Sequence, residues 1–501
     1  MSAWGSGYVT DIPYTTGWYR QQSPSIMALA CLLCGVAASM PAADDAVSYL
    51  ELGCGHGFGA MLLAASNPEW RVTAVDYNPA HIAAAREWAA EAGLANITFL
   101  EADLTTLAED AAAQAIPQTD FVSMHGVWTW VPPAVQQGIV RLLRDKVRPG
   151  GVVHVSYNAL PAWGSALGMA RILRLVGRQH GGRSDRQASE GFKFVREMIE
   201  AEAVQLNRSE IVKVLLEKLE ELPGIYLAHE YMNDAWAPCF ISDVAQALSG
   251  AKLEWVASAN LIENFPELTL SQEQRALVNR FEDPLLRELI KDHCIDRLLR
   301  HDLFVRGARR ISPYQRDAAL MALPISLNIR PQDMPLEAEM PAGRAALNPK
   351  FYRPIVAALT DGPRRIGDLL QIPELEGKRD NPAELAGILI GSELAEPVLR
   401  PDQSPSSTAQ NFNRVAARRL IRSEPMSRPM GLASYRLGGA MPASVLDMVV
   451  LDRTLEGGGS LDDLMQFFHA ANAVTDAEKL RAVLATCVEN RLPRLRLSGV
   501  W

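Results

Sequence analysis

Cysteine is scarce in this chain. Six residues among 501, at positions 31, 34, 54, 239, 294 and 487, are too few and too scattered for a disulfide framework in a protein of this size. A reducing compartment, the cytoplasm, is therefore expected. An excess of positive charge is missing as well: 49 Lys and Arg stand against 58 Asp and Glu, a net charge of −9. That balance does not favour phosphate, so nucleic acid is not expected as a partner, whereas a basic substrate such as a lysine-bearing protein is compatible with it. Long hydrophobic runs are lacking too. The apolar stretch from Ile26 to Met40 falls short of the roughly 20 residues that span a bilayer. A long polar and aromatic segment, not a basic one, precedes it, so neither membrane insertion nor a secretory signal is expected. Within it Cys31 and Cys34 form a C-x-x-C. Helical spacing sets both on one apolar face, and core packing is expected there rather than redox or metal chemistry.

What is present fits a soluble globular protein of two or three domains: 48% of residues are hydrophobic and 21% charged. The most informative stretch runs from Tyr49 to Gly59, a short apolar strand ending in Glu51-Leu52-Gly53-Cys54-Gly55-His56-Gly57-Phe58-Gly59. Glycines at alternate positions remove Cβ where the backbone must turn sharply and lie against a ligand, and a helix is expected from Ala60. Because Gly55 to Ala60 also satisfies the permissive G-x-G-x-x-A pattern, the loop by itself fits a dinucleotide as well as a methyl donor. A second strand, Arg71 to Asp76, ends in an acid placed for ribose hydroxyls, which suits both cofactors. The third, Ile97 to Leu104, carries Asp103, placed to accept from an exocyclic adenine amine. Three acids at successive strand ends favour the methyl donor.

The stretch Glu51 to Gly57 resembles motif I of the class I S-adenosylmethionine-dependent methyltransferases, with Asp76 and Asp103 at the later acidic positions. A second resemblance begins earlier, in the Pro-bearing aromatic segment with Tyr8, Tyr14, Trp18 and Tyr19. It continues through Asp120–Val131, Tyr157–Trp163, His229-Glu230-Tyr231 and Phe304–Arg310. These stretches are similar to bacterial methyltransferases that carry a methyltransferase regulatory domain, a family that includes rickettsial lysine methyltransferases acting on outer-membrane protein. The resemblance covers residues 1 to about 320 and the rest more weakly. Thr15-Thr16-Gly17-Trp18 stands where the family has a more tyrosine-rich run.

The cofactor so implied is S-adenosyl-L-methionine, with S-adenosyl-L-homocysteine as product. Gly53, Gly55 and Gly57 are expected to let the backbone approach its methionine part, Glu51 to orient its amino group, Asp76 to hold the ribose and Asp103 to read the adenine. Tyr8, Phe58, Tyr77, Leu104 and Gly126 complete the expected cofactor site. His125 lies at the carboxyl end of a fourth strand, Phe121 to Met124, where open α/β sheets bind ligands; with Tyr14 or Tyr157 it is expected to position the acceptor. Trp128, Trp130 and His229 are candidate substrate contacts, and the aromatic N-terminal arm a lid that excludes water. A His beside a Glu at 229 and 230 is too little for a metal site, and none is expected.

The expected fold is α/β: a doubly wound Rossmann-like sheet over residues 1–165 including the lid, a mostly helical regulatory or dimerisation domain over 166–331, and a winged-helix-like domain over 345–501. Pro149-Gly150-Gly151 reads as a turn, Glu190 to Leu222 as amphipathic helix that could pair a homodimer, and Gln332 to Gly343 as a linker. Three functions are compatible with these features. They are a protein lysine N-methyltransferase, a methyltransferase of small molecules or peptide natural products, and a non-catalytic cofactor-binding regulator.

Overall fold

The computed structural model describes residues 8–12, 14, 16–38, 40–220, 224–377, 379–402, 405–470 and 476–501. Pro13 and Thr15 of the aromatic arm, Leu222, Lys378 and Ser404 lie outside the described residues. A sheet of seven strands organises the chain: β1 (Ser48–Leu52), β2 (Arg71–Asp76), β3 (Ile97–Glu101), β4 (Thr119–Met124), β5 (Val147–Asn158), β6 (Leu253–Ser258) and β7 (Leu299–Arg306), in the order β3-β2-β1-β4-β5-β7-β6. The first five are parallel, and β7 runs antiparallel to both β5 and β6. Strands β1 and β4 are buried at every position, as sheets covered on both faces require. The order reverses between β1 and β4, and beyond the carboxyl ends of these strands the crevice opens.

Four helices frame this part: α1 (Pro24–Leu33), α2 (Phe58–Ser66), α3 (Pro79–Glu91) and α4 (Pro133–Lys146). Asn78 starts α3 by accepting from Ala80 N, with Pro79 at the first helical position. Every residue of α1 and α2 is buried, Cys31 included, while Cys34 just beyond α1 is half-buried. Burial pushes both thiols up and leaves them unreactive, the packing role expected of them. The expected turn at Pro149–Gly151 lies inside β5, where Thr119 pairs with Val147 and Phe121 with Val152, so the intervening residues bulge without ending the strand.

The next five helices are α5 (Leu167–Gly177), α6 (Ser184–Glu200), α7 (Val204–Asn207), α8 (Glu210–Glu220) and α9 (Gly224–Tyr231). They share a core with Val9 and Ile12 of the N-terminal arm. Asp11 pins that arm to the start of α6, accepting from Ser184 N at 2.8 Å and from Ser184 Oγ at 2.7 Å. The sheet is not confined to the first 165 residues. Strands β6 and β7 come from the stretch expected to be helical and complete the sheet beside β5. Leu299-Arg300-His301-Asp302-Leu303-Phe304 hides its strand character behind three polar residues, all of them buried. Glu288, Asp292 and Asp302 surround Arg300 and make that burial tolerable.

The expected linker is instead a hairpin of β9 (Glu337–Met340) and β10 (Gly343–Ala346), because alternate residues Ala338 and Met340 find a core to pack on. Before it lies β8 (Pro324–Leu327); after it come helices Pro349–Ala358, Ile366–Leu370 and Pro382–Gly391, with β11 (Arg364–Arg365) and β12 (Ala395–Pro397) flanking the last two. These strands form an antiparallel sheet in the order β11-β8-β12, whose central member precedes all three helices. A last hairpin, β13 (Pro429–Ser434) and β14 (Gly439–Ser444), covers α2. Ser66 Oγ donates to Gly439 O at 2.7 Å, and Arg400 donates to Asn67 Oδ1 at 3.0 Å and pairs with Glu69. Among the described residues no helix is long and apolar enough to cross a membrane.

The packing of α4 carries a prediction. A Cβ on Gly138 would stand 2.1 Å from the Leu104 carbonyl oxygen and 2.7 Å from that of Thr105. Glycine to alanine within a helix ordinarily stabilises by about 1 kcal/mol; here the sign inverts. Gly138→Ala is expected to lower stability by about 1–3 kcal/mol, the usual range for overpacking. A urea midpoint equal to or above that of the unsubstituted protein would contradict it.

Candidate active site

The glycine loop is shaped by its neighbours before any ligand is considered. Gly53 takes φ +71°, and a Cβ there would meet Val127 Cγ2 at 2.4 Å. Its N–H and that of Cys54 donate to Val75 O at 2.8 and 3.0 Å. Asp76, at the end of β2, holds the loop from the other side: Oδ2 accepts from Gly55 N at 2.7 Å and Oδ1 from Asn78 N at 2.8 Å, with His81 Nδ1 3.2 Å away. The first link of Asp76 is thus to the backbone of the loop. Gly57 faces inward, where a Cβ would lie 2.6 Å from Phe99 Cε1, and Phe58 is buried against Trp88 and Phe412.

A cavity of about 310 Å3 opens beyond the strand ends, a size found among small-molecule sites. Gly53, Gly55, Asp76 and Tyr77 line one side of it, Asp103 and Leu104 another, and His125, Gly126 and Trp130 a third. Tyr8 and Tyr14 of the N-terminal arm close over it. All eleven are residues expected at the site from the sequence: ten as cofactor or acceptor-positioning residues, Tyr8 and Tyr14 of the arm among them, and Trp130 as a substrate contact. Sequence reasoning missed His81, Thr105, Val127 and Val135, which also line it. His81 carried a signal, since it lies one helical turn into α3, within reach of the acid before it.

Glu51 is buried under the loop. Gln22 Nε2 donates to its Oε1 at 3.1 Å, while Oε2 has no hydrogen-bond partner among the described residues. Burial pushes its carboxyl up to about 7, against the pull of the Gln22 hydrogen bond. Gln22 also donates to Ser123 Oγ at 3.1 Å, and from there polar contacts cross the sheet through His154 at 3.0 Å to His301 at a further 3.1 Å. His125 stacks over this row, 5.5 Å from His301, with Tyr19 on its other face at 3.7 Å between ring centroids. Its Nδ1 meets Ser156 Oγ at 2.9 Å, and that hydroxyl also accepts from Gly126 N at 2.8 Å. Burial, and then the neighbouring His301, hold His125 well below the ordinary histidine range, so it is a neutral ring at physiological pH. Such a ring can orient an acceptor by a hydrogen bond; it does not supply charge.

A smaller recess of about 20 Å3 adjoins the cavity, sharing Tyr8, Tyr14, Gly126 and Trp130 with it and adding Tyr226, His229, Glu230 and Asn233. His229 lies edge-on to Tyr14 at 4.9 Å, so this expected substrate contact does reach the site. Two of the expected acceptor residues do not, just as Gly57 and Phe58 of the expected cofactor set turn away from the cavity. Tyr157 points to the opposite face of β5 from Ser156, and its hydroxyl donates to Asp302 Oδ2 at 2.5 Å deep in the sheet. Trp128 is buried in the core with Leu104 and Leu142 and does not line the cavity. Side chains alternate along a strand, so Ser156 and Asn158 face the site where Tyr157 cannot.

Models of known families match two parts of the chain: one described as a methyltransferase domain over residues 50–151, and one described as a predicted methyltransferase regulatory domain over residues 224–306. The uncharacterized protein sll1526 of Synechocystis sp. is 32% identical over 453 residues, which cover 89% of this chain and 87% of that one. A trans-aconitate 2-methyltransferase of Azoarcus sp. is 33% identical over 112 residues, 22% of this chain and 39% of its own length. Among solved structures, PKMT2 from Rickettsia typhi in complex with AdoHcy superposes with a TM-score of 0.71 at 16% identity, covering 97% of this chain and 99% of that one, a likeness of fold. With glycine loop, strand-end acids and both domains present, the chain belongs to the S-adenosylmethionine-dependent methyltransferases that carry a methyltransferase regulatory domain.

Proposed function

We propose that this chain methylates the side-chain amine of lysine in a protein. The observation that carries the reading is the ring-walled recess of Tyr8, Tyr14, Trp130 and Tyr226 beside the main cavity, because aromatic faces attract a cationic amine and keep water from it. When bound, S-adenosylmethionine supplies a methyl group activated by a sulfonium. The residues fit this cofactor: Glu51 keeps a buried carboxylate oxygen without a partner, suited to an ammonium, and Asp103 presents an exposed carboxylate at the cavity wall. Gly53 and Gly55 would admit the methionine part, Asp76 and Tyr77 the ribose, and Leu104 with Asp103 the adenine. His125 would orient the acceptor from the wall it shares with Gly126, and His229 would support Tyr14 in the lid. Alignment and exclusion of water are then the main contributions of the protein.

Feeding tritiated S-adenosylmethionine to the protein with cell extract and following the label separates the acceptor classes. Incorporation into lysine of protein is the expected outcome; label confined to metabolites would assign the second function, small-molecule methylation.

Glu51 sets a pH dependence. Its carboxyl must be ionised to hold an ammonium, and its raised value of about 7 leaves it protonated below neutrality. Cofactor affinity, measured by calorimetry, is expected to fall about tenfold per pH unit below that point, and Glu51→Gln to flatten the dependence. Stability has the opposite sense. The folded state retains a proton that the unfolded state has lost between the ordinary glutamate value and about 7, so this residue contributes less stability as pH rises through that window.

A further inference from the structure

We infer that Glu230 anchors the incoming ammonium group in the recess and accepts its proton, which makes the regulatory segment a part of the active site. The inference rests on the reading of the chain as an amine methyltransferase and names a residue that the reading does not require.

Glu230 stands on α9, within the stretch that matches the regulatory-domain model. It lines the recess together with Tyr8, Tyr14, Trp130 and Tyr226. Its placement is built. Asn158, at the end of β5, donates from Nδ2 to Glu230 Oε1 at 3.2 Å. The Asn158 amide is itself oriented, because its Oδ1 accepts from Thr129 Oγ1 at 3.3 Å and so turns the NH2 toward the carboxylate. Thr129 sits between Trp128 and Trp130, which ties the carboxylate to the loop that walls the cavity.

Among the described residues no lysine or arginine pairs with Glu230. The titratable groups that face it are Tyr14 and Tyr19 of the arm, and Tyr226 and Tyr231 of its own helix, all neutral; His229 and Tyr8 stand in the same recess. A carboxylate so placed lacks a cation, and burial holds its carboxyl up to about 7. An arriving ammonium would supply the missing charge, with four rings adding attraction through their faces. The recess volume, about 20 Å3, suits a group of one or two heavy atoms. Tyr226, 41% exposed, is the outermost of the lining residues, and a side chain entering past it would reach the main cavity across the faces of Tyr14 and Trp130.

The reaction balances with these groups. A proton passes from the ammonium to the Glu230 carboxylate, leaving the lone pair on nitrogen. The N–C bond forms as the C–S bond breaks, with its electron pair staying on sulfur as a neutral thioether. Glu230 then releases its proton to water, and the product leaves as a methylammonium. A free lysine near about 10.4 is a poor donor to a carboxyl near 7; desolvation among the rings and a nearby sulfonium would both lower the amine, against the opposing pull of the Glu230 carboxylate.

The test compares the unsubstituted protein with Glu230→Gln, Glu230→Asp and Tyr226→Ala, using peptides with a single lysine among Gly and Ser. Cofactor affinity by calorimetry should be the same in all four, which also shows that the variants fold. Glu230→Gln should lower kcat on the order of 100-fold and remove the acidic limb near pH 7 from kcat/KM for the peptide, with partial rescue in Glu230→Asp. Tyr226→Ala should raise KM for the peptide roughly two- to fivefold. Independently of turnover, saturation-transfer NMR with S-adenosylhomocysteine present should detect n-butylammonium on the unsubstituted protein and lose it in Glu230→Gln, with n-butanol silent on both. A Glu230→Gln protein that keeps its kcat, its pH profile and its n-butylammonium signal overturns this inference and leaves lysine methylation standing. Methyl transfer to acceptors other than amines, with no lysine modified, overturns both.

Discussion

Replacing Asp76 by Ala should weaken binding of S-adenosylmethionine at least about 100-fold, the largest loss expected from any single change at the site. The reason lies less in contact with the ribose than in what the carboxylate already does. Its two oxygens accept from Gly55 N and Asn78 N at 2.7 and 2.8 Å, and Oδ1 also meets His81. Hydrogen bonds to a charged group contribute about 1.5–3 kcal/mol each. One of them supports the loop at Gly55 and the other the turn into α3 at Asn78, so the loss of both amounts to about 3–6 kcal/mol, and each 1.4 kcal/mol is tenfold. Without Asp76 the Gly55 N–H has no acceptor beneath the loop, which must then be ordered by the cofactor itself. Asp76→Asn keeps one acceptor oxygen and should lose less. Calorimetric titration decides the matter: unchanged affinity in the Ala variant would remove Asp76 from the site.

The second large effect concerns stability. Arg300 lies at the centre of a buried cluster, donating to Asp302 at 2.7 and 2.8 Å, to Asp292 at 2.6 Å and to Glu288 at 3.0 Å. Arg297 and Lys291 complete the charge balance, pairing with Asp292 and Glu288. Arg300→Met would leave three carboxylates short of a cation in the interior, a situation that costs about 3–5 kcal/mol. The damage should spread to the strands, because Asp302 also accepts from Tyr157 on β5 and from Trp255 on β6 at 2.5 and 2.9 Å. Urea unfolding should show a free energy of unfolding lowered by that amount, and with it a lower midpoint. A midpoint within error of the unsubstituted protein would mean that the cluster is solvated after all.

This cluster also explains where sequence reasoning stopped. A strand is legible when its residues are apolar or alternate, as in β1, β2 and β4. Strand β7 places Arg300, His301 and Asp302 inside the sheet, and partners distant in sequence make that tolerable: Glu288 and Asp292 from the helix Pro284–Asp292, His154 and Tyr157 from β5 and Trp255 from β6. No local pattern announces such a strand. The hairpin β9–β10 escaped notice for a related reason, since two prolines and several acids disguise a short alternating run. The C-terminal hairpin over α2 was foreshadowed by one feature. Every residue of α2 is small or apolar, and a helix hydrophobic all round must be covered on both sides.

Residues 49 to 103 by themselves determined the cofactor half of this protein, because strand, glycine turn and strand-end acid are local backbone geometry, and local geometry is written in residue type and spacing. The recess proposed for the acceptor was decided only by tertiary structure. Tyr14, Trp130, Tyr226 and Glu230 line one recess because Asn158 at the end of β5 holds Glu230 of α9 and Asp11 anchors the arm to the start of α6. Tyr157 shows the same division from the other side. Its distance along the chain placed it with Ser156 and Asn158, but the alternation of a strand buried on both faces turned it toward Asp302.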